Sequence, residues 1–181
     1  MLARLTGPSK YSRSLLAQPY WRSACVFITV AMCVRSPRLY ASDRRADFGP
    51  GFYLTSSKDQ AIRWARLVTK RRNSGLAQVS VFSCDDAALS TLRLLQFEGA
   101  TVEWLAFVGA NRRGEKTDDY DVVRGPVAND ATMPTLRLFF AGIYTEEEAI
   151  KRLLPQRLHD QYVFKTQAAL NALIFSEVIM A

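Results

Sequence analysis

The stretch DFGPGFYLTSSKDQAIRWA, residues 47–65, combines residue types that suit the binding of a flat ring. Gly49 and Gly51 flank a turn and allow the backbone to approach another group closely. Tyr53 follows on a predicted strand, and Trp64 lies eleven residues further on, inside a predicted helix. Two aromatic side chains held in this way can enclose a ring, because offset stacking operates at about 4.5 to 7 Å between centroids. Filling of the core is the other interpretation, and the spacing alone favours it.

The elements around this stretch follow from local signals. GFYLT reads as a short strand, and Ser57 with Gln60 three residues later predicts a helix ending near residue 72. LAQVSVFSC alternates like a half-buried strand. Thr101 is a predicted cap for the helix VEWLAFVGANRR, and Thr145 with Glu148 forms a second capping box.

Two further strands complete this reading of the chain. YDVVRGPVAND, residues 120–130, reads as a strand and then a turn, and QYVFKT reads as a strand before a short helix at residues 167–173. The strands and helices do not follow a strict βαβ rhythm, which predicts a single α+β domain.

The N-terminal 45 residues differ in composition from the remainder. They contain eight basic side chains and one acidic one, which leaves 16 of each sign among the other 136 of the 181 residues. The neutral body lowers the expectation of nucleic-acid binding without excluding a local patch. The apolar run ACVFITVAMCV is too short to span a bilayer, where about 20 residues are needed. A buried strand at residues 26–34 is favoured over a secretory signal.

The three cysteines, Cys25, Cys33 and Cys84, show no metal-ligand spacing. An odd number without a disulfide framework predicts reduced thiols in a cytoplasmic protein. No metal site and no membrane partner are expected.

Six sequence blocks carry a resemblance to known families. FGPGFYLTSSKDQAIRWA resembles the second signature of the ADP-ribosyltransferase superfamily, in which an aromatic on a strand and another on the next helix enclose nicotinamide. RRADFGPGFYLT, QAIRWA, EWLAFV, YDVVRGPVAND, EEEAI and DQYVFKTQAAL are, in this order, similar to a bacterial family catalogued as domain of unknown function 3990 and grouped with these transferases. The resemblance covers residues 34 to 175.

The resemblance implies a fold, a substrate and a set of residues. The fold would be α+β, with split antiparallel β-sheets and flanking helices over residues 34–181. The substrate would be NAD, with Tyr53 stacking on nicotinamide, Trp64 closing the other face, and Gly49 and Gly51 shaping the entry turn. Gln161 would be catalytic with Tyr53. ADP-ribose would pass to a macromolecule, a protein rather than a nucleic acid.

Two departures from that pattern oppose full activity. Many relatives have a glutamate where this chain has Gln161, and a neutral acceptor forms weaker hydrogen bonds than an ionised one. The histidine that relatives carry near Ile28 and Thr29 is absent, and His159, the one histidine of the chain, suits a surface or capping role. Either the histidine has been lost or residues 1–33 derive from an altered start or reading frame. A degenerate relative that binds a nucleotide or a protein is therefore the alternative.

Overall fold

The computed structural model describes residues 25–29, 34–39, 46–115, 119–128, 132–154 and 158–181. Of the N-terminal segment at residues 1–33, it describes only the backbone of residues 25–29. The predicted turn residues Asn129 and Asp130 lie outside the described residues.

The described residues form a mixed α/β structure with seven strands and six helices. The strands are β1 Cys25–Thr29, β2 Phe52–Thr55, β3 Gln78–Cys84, β4 Leu94–Gln96, β5 Val122–Pro126, β6 Asp160–Phe164 and β7 Leu173–Met180. The helices are α1 Lys58–Arg72, α2 Asp86–Ser90, α3 Val102–Arg113, α4 Met133–Phe140, α5 Glu146–Leu153 and α6 Gln167–Asn171. This content is consistent with the predicted α+β class.

The strands are hydrogen-bonded in the order β4-β5-β6-β2-β1-β3-β7. Every neighbouring pair is antiparallel except β4 and β5, which run parallel. The half containing β2 and β6 joins the half containing β3 and β7 through two residue pairs between β1 and β2. The strands therefore form one continuous hydrogen-bonded order with a narrow junction between its halves. The two split sheets implied by the resemblance stay a prediction.

Side-chain caps begin the helices where the sequence predicts them. The Ser57 hydroxyl accepts from the Gln60 backbone N–H at 3.3 Å, and α1 ends at Arg72. Thr101 caps α3 in the same way, and Thr145 with Glu148 forms a complete capping box at α5. Each cap satisfies backbone N–H groups that have no partner within the helix.

Several elements differ from the prediction, and helix α2, which begins at Asp86, is one that was not predicted. The N-terminal strand ends at Thr29, residues 30–33 lie outside the described range, and Val34 is not in a strand. Helix α4 was not predicted, and Thr132 at its start makes no side-chain cap. Strand β7 was not predicted either, since a bulge opposite Val81 and Phe82 interrupts its alternation.

Helices cover both faces of the sheet. On the first face, a cluster of buried residues that includes Phe48, Trp104 and Leu105 packs over Val123 and Val163 of β5 and β6.

Helix α1 covers the other half of this face, with Ala61 and Ala65 on Val79. The second face carries Phe52, Phe82, Tyr162, Phe164 and Leu170 of α6. Strands β2 and β6, which carry Tyr53 and Gln161, are neighbours near the centre of the strand order and have packed residues on both faces.

Candidate functional site

The loop before β2 is tied to α3 and to the end of β6. The buried Asp47 carboxylate accepts from Arg112 Nε at 2.8 Å and from the Ala128 backbone N–H at 3.2 Å. Phe48 is fully buried, and its carbonyl accepts from Lys165 Nζ at 3.0 Å. These contacts fix the position and direction of the turn that precedes Tyr53.

Both glycines of the turn are required by packing within the chain. Gly49 has a φ of +79°, and a Cβ there would meet Asn111 Oδ1 at 2.6 Å. Gly51 has a φ of +157°, and a Cβ there would overlap Val163 Cγ1 and lie 2.9 Å from the Phe164 carbonyl. The glycines therefore allow the turn to lie directly against α3 and β6.

Tyr53 is held by the same turn. Its hydroxyl donates to the Gly49 carbonyl at 2.7 Å and accepts from the Phe48 backbone N–H at 3.2 Å. It lies opposite Val163 in the β2–β6 pair and is partly buried against the first-face core. The orientation of its ring is thus set by the turn.

Gln161 lies on the same sheet face as Tyr53. It stands two residues before Val163, the partner of Tyr53, so both side chains emerge on one side. Gln161 is 7% exposed, and its Nε2 has no hydrogen-bond partner among the described residues. Buried polar groups are nearly always satisfied by a residue, a water or a ligand, so this amide is available to bind a small polar partner.

Trp64 lies at the margin of this group. It is 40% exposed, its ring lies 5.8 Å from the guanidinium carbon of Arg71, and it makes no ring contact with Tyr53 among the described residues. One turn earlier on α1, Gln60 Oε1 accepts from the Thr55 hydroxyl at 3.1 Å. Thr55 follows Tyr53 by two residues and shares its face. The structure thus places Tyr53 and Gln161 on one face of two adjacent strands, and Trp64 on α1, one turn beyond Gln60.

The start of β6 is connected to β2 and α1 by polar contacts. The Asp160 carboxylate accepts from the Ser56 hydroxyl at 2.7 and 2.9 Å and from the Ser56 backbone N–H at 3.2 Å. His159 Nε2 lies 3.1 Å from Arg63 Nη2. Since a guanidinium only donates, Nε2 is the acceptor of this contact. These contacts hold the strand end that presents Gln161.

A cavity of about 240 Å³ opens beside this strand end. Gly125, which lies opposite Gln161 in the β5–β6 pair, contributes to its wall. Glu98, Arg124 and Asp160 give the wall both signs of charge, and Leu153, at the end of α5, adds apolar surface. The cavity therefore adjoins the strand pair that carries Gln161.

Sequence reasoning missed the residues that build the turn. Asp47, Asn111, Arg112 and Lys165 are distant in the chain and follow no local pattern that indicates their contacts. His159 was read as a surface or capping residue, and it lies partly exposed beside Arg63. The one signal in the sequence that could have indicated these anchors was Asp47, a charged residue next to a predicted turn.

The fold and the site define a class of protein with a mixed α/β fold. In it, two adjacent central strands carry a tyrosine and a buried glutamine on the same face of the sheet. The chain belongs to the family described as "Protein of unknown function (DUF3990)", whose model matches residues 25–175. No curated protein matches the chain, and no solved structure matches it. Within the described part of the chain, no helix has the length and apolar character needed to cross a membrane.

Proposed function

We propose that this protein binds NAD and transfers ADP-ribose weakly to a nucleophile on a macromolecule, a protein rather than a nucleic acid. The observation that carries the proposal is the buried, unpaired Gln161 amide on the sheet face of Tyr53. A ribose hydroxyl offers both a donor and an acceptor, as the amide does. That the bound ribose belongs to NAD is inferred from the resemblance to ADP-ribosyltransferases.

The proposed roles follow from the positions. Tyr53, oriented by its hydrogen bond to Gly49, stacks on the nicotinamide ring, and Trp64 closes the other face from α1. Gly49 and Gly51 hold the turn at the entry. Gln161 binds the hydroxyl of the nicotinamide ribose.

The reaction exchanges one bond at C1′ of this ribose. The bond from C1′ to the nicotinamide nitrogen breaks, and the electron pair leaves with nicotinamide. Positive charge develops at C1′, and an acceptor nucleophile then forms the new bond and loses its proton. Gln161 contributes a dipole to this step where a carboxylate would contribute a full charge, so the expected rate is low.

Two observations favour a second candidate, a non-catalytic module that binds a nucleotide or a protein. Gln161 has no charge with which to stabilise the developing cation. The ring of Trp64 lies near Arg71 and does not pair with Tyr53. Both features are compatible with binding in the absence of bond cleavage.

Nicotinamide release at saturating NAD separates the two candidates. We expect Gln161→Glu to release nicotinamide faster than wild type, by up to the factor that corresponds to about 2.7–4 kcal/mol for one preorganised electrostatic group. Gln161→Ala should be slower. The control Gln167→Glu makes the same chemical change at an exposed position of α6 and should leave the rate unchanged.

Calorimetric titration with NAD, on variants shown to be folded by circular dichroism, completes the test. Background release by wild type and both Gln161 variants, together with undetectable NAD binding, would exclude the enzyme and leave only the protein-binding form of the second candidate. Detectable NAD binding without release in any variant would favour a nucleotide-binding module.

A further inference from the structure

Helix α1 concentrates positive charge within a body that is otherwise acidic. The helix contains six basic residues and one acidic residue, whereas the remainder of residues 46–181 contains ten basic and fifteen acidic residues. The excess of positive charge on α1 is therefore cancelled by negative charge elsewhere, so the net charge of residues 46–181 is zero. An excess of this kind on one helix is the electrostatic footprint of a polyanionic partner.

Four of these residues share the outer side of the helix. Arg63, Arg66, Lys70 and Arg71, here called the basic stripe, are all exposed and lie within an arc of about 140° at 3.6 residues per turn. From Arg63 to Arg71 the stripe spans about 12 Å at 1.5 Å per residue.

The basic stripe has no acidic partner among the described residues. The ion pairs there are Arg93 with Asp121, Arg112 with Asp47 and Arg113 with Glu115, and none involves α1. Arg63 contacts the ring of His159, and Arg71 contacts the ring of Trp64. The charge of the stripe is thus left for a partner outside the described chain.

Trp64 adds a second chemical feature at the edge of the stripe. It is exposed, it lies two turns before Arg71 on the same side of the helix, and its ring lies 5.8 Å from the Arg71 guanidinium carbon. Basic side chains that follow a backbone of phosphates, next to an exposed aromatic on which a base stacks, are the usual components of single-strand binding.

We propose that the basic stripe and Trp64 form a binding surface for single-stranded nucleic acid. A membrane is a poorer partner, because insertion needs an apolar helix face and that of α1, with Ala61 and Ala65, is already packed on the sheet. A duplex shields its base faces, so Trp64 would have nothing to stack on.

This surface does not depend on the proposed function. If Trp64 holds nicotinamide, a bound strand loses one stacking contact and keeps its phosphate contacts. Binding is therefore measured without NAD, and its failure leaves the nicotinamide-release assay unaffected.

The experiment is a titration of fluorescence anisotropy with a fluorescein-labelled oligouridine of about 12 nucleotides, a length within known single-strand site sizes. Each phosphate contact contributes about 0.7 to the slope of log affinity against log salt. We expect the double variant Arg66→Gln/Lys70→Gln to bind more weakly and to lower the slope by about 1.4. The control Arg137→Gln/Lys151→Gln removes the same charge from exposed positions on α4 and α5 and should bind like wild type.

The Trp64→Ala variant tests the stacking contact. It should weaken binding of the oligouridine about 5- to 150-fold with an unchanged salt slope. An equal affinity for a duplex of the same length, or an unchanged affinity in Trp64→Ala, would overturn the single-strand assignment.

Other outcomes would overturn the surface itself. These are undetectable binding at low salt, equal losses in the two double variants, displacement of the oligouridine by polyglutamate at equal charge concentration, or preferential binding to phosphatidylserine vesicles.

Discussion

The two halves of the sequence block from residue 47 to residue 65 are held in the protein in opposite ways. The turn before β2 is buried and receives hydrogen bonds or ion pairs from α3, β6 and Tyr53. Helix α1 is attached mainly through the small side chains Ala61 and Ala65 and leaves its outer side to solvent. One contiguous motif therefore contains a rigid support and an exposed binding face.

This difference teaches how aromatic and glycine residues of one motif are to be interpreted. A residue in the turn carries a structural requirement in addition to any role at a ligand, because its replacement disturbs α3 or β6. A residue on the outer side of α1 carries little structural requirement, so an effect of its substitution reports mainly on binding. Substitutions matched between the halves can break or sharpen this distinction.

The largest difference is expected between two truncated aromatics. Phe48→Ala removes a fully buried ring that packs 6.1 Å from Phe97 and 6.0 Å from Phe107, and it should lower the free energy of unfolding by about 3–5 kcal/mol. Trp64→Ala should cost less than about 1 kcal/mol, because much of its ring is exposed. Urea unfolding measures both.

The same Trp64→Ala protein also tests the proposed site. Loss of a stacking partner should weaken NAD binding by about 1–3 kcal/mol in calorimetry. Equal destabilisation by the two substitutions would show that Trp64 is a core residue, and an unchanged NAD affinity would remove Trp64 from the site.

A smaller effect is expected from a pair of glycine substitutions. Gly51→Ala places a methyl group against Val163 and the Phe164 carbonyl and should destabilise the fold by about 1–3 kcal/mol. Gly99→Ala is the control, since a Cβ there meets nothing within 4 Å, and it should stay within about 0.5 kcal/mol of wild type. Thermal unfolding of the two variants gives the comparison; similar melting temperatures would contradict the packing argument for Gly51.

The sequence predicts the parts of the structure that are determined locally. Thr101 and Thr145 begin α3 and α5 as expected, because a cap needs only residues within one turn. The turn anchors could not be predicted, since Asp47 and Arg112 are 65 residues apart. Pairing of β2 with β6 brings Tyr53 and Gln161 to one face, a consequence of strand order that no local pattern contains. Their role at NAD stays a prediction.

The smallest effect expected is a dependence of stability on pH, and it extends the comparison to the start of β5, in the part of the sheet that supports the turn. Asp121 accepts from Arg93 Nε at 3.1 Å, from the Arg93 backbone N–H at 2.9 Å and from the Thr166 hydroxyl at 3.0 Å. The hydrogen bond from the Arg93 side chain is the main cause that lowers the pKa of Asp121 below its ordinary value, with partial burial opposing it. A carboxyl group whose pKa is lower in the folded state stabilises the protein fully above its unfolded pKa of about 3.9 and loses this contribution as the pH falls through the folded pKa.

Wild type should therefore lose more free energy of unfolding between neutral pH and about pH 3 than Asp121→Asn does, because the amide has no charge to lose. Asp59→Asn makes the same change on the exposed side of α1, where no ion pair forms among the described residues, and should retain the wild-type difference. Urea unfolding of the three proteins at both pH values provides the measurement. Asp59→Asn could instead reduce the pH dependence as much as Asp121→Asn does. Electrostatic stabilisation would then not be greater near the turn than on the outer side of α1, and the two regions would differ only in packing.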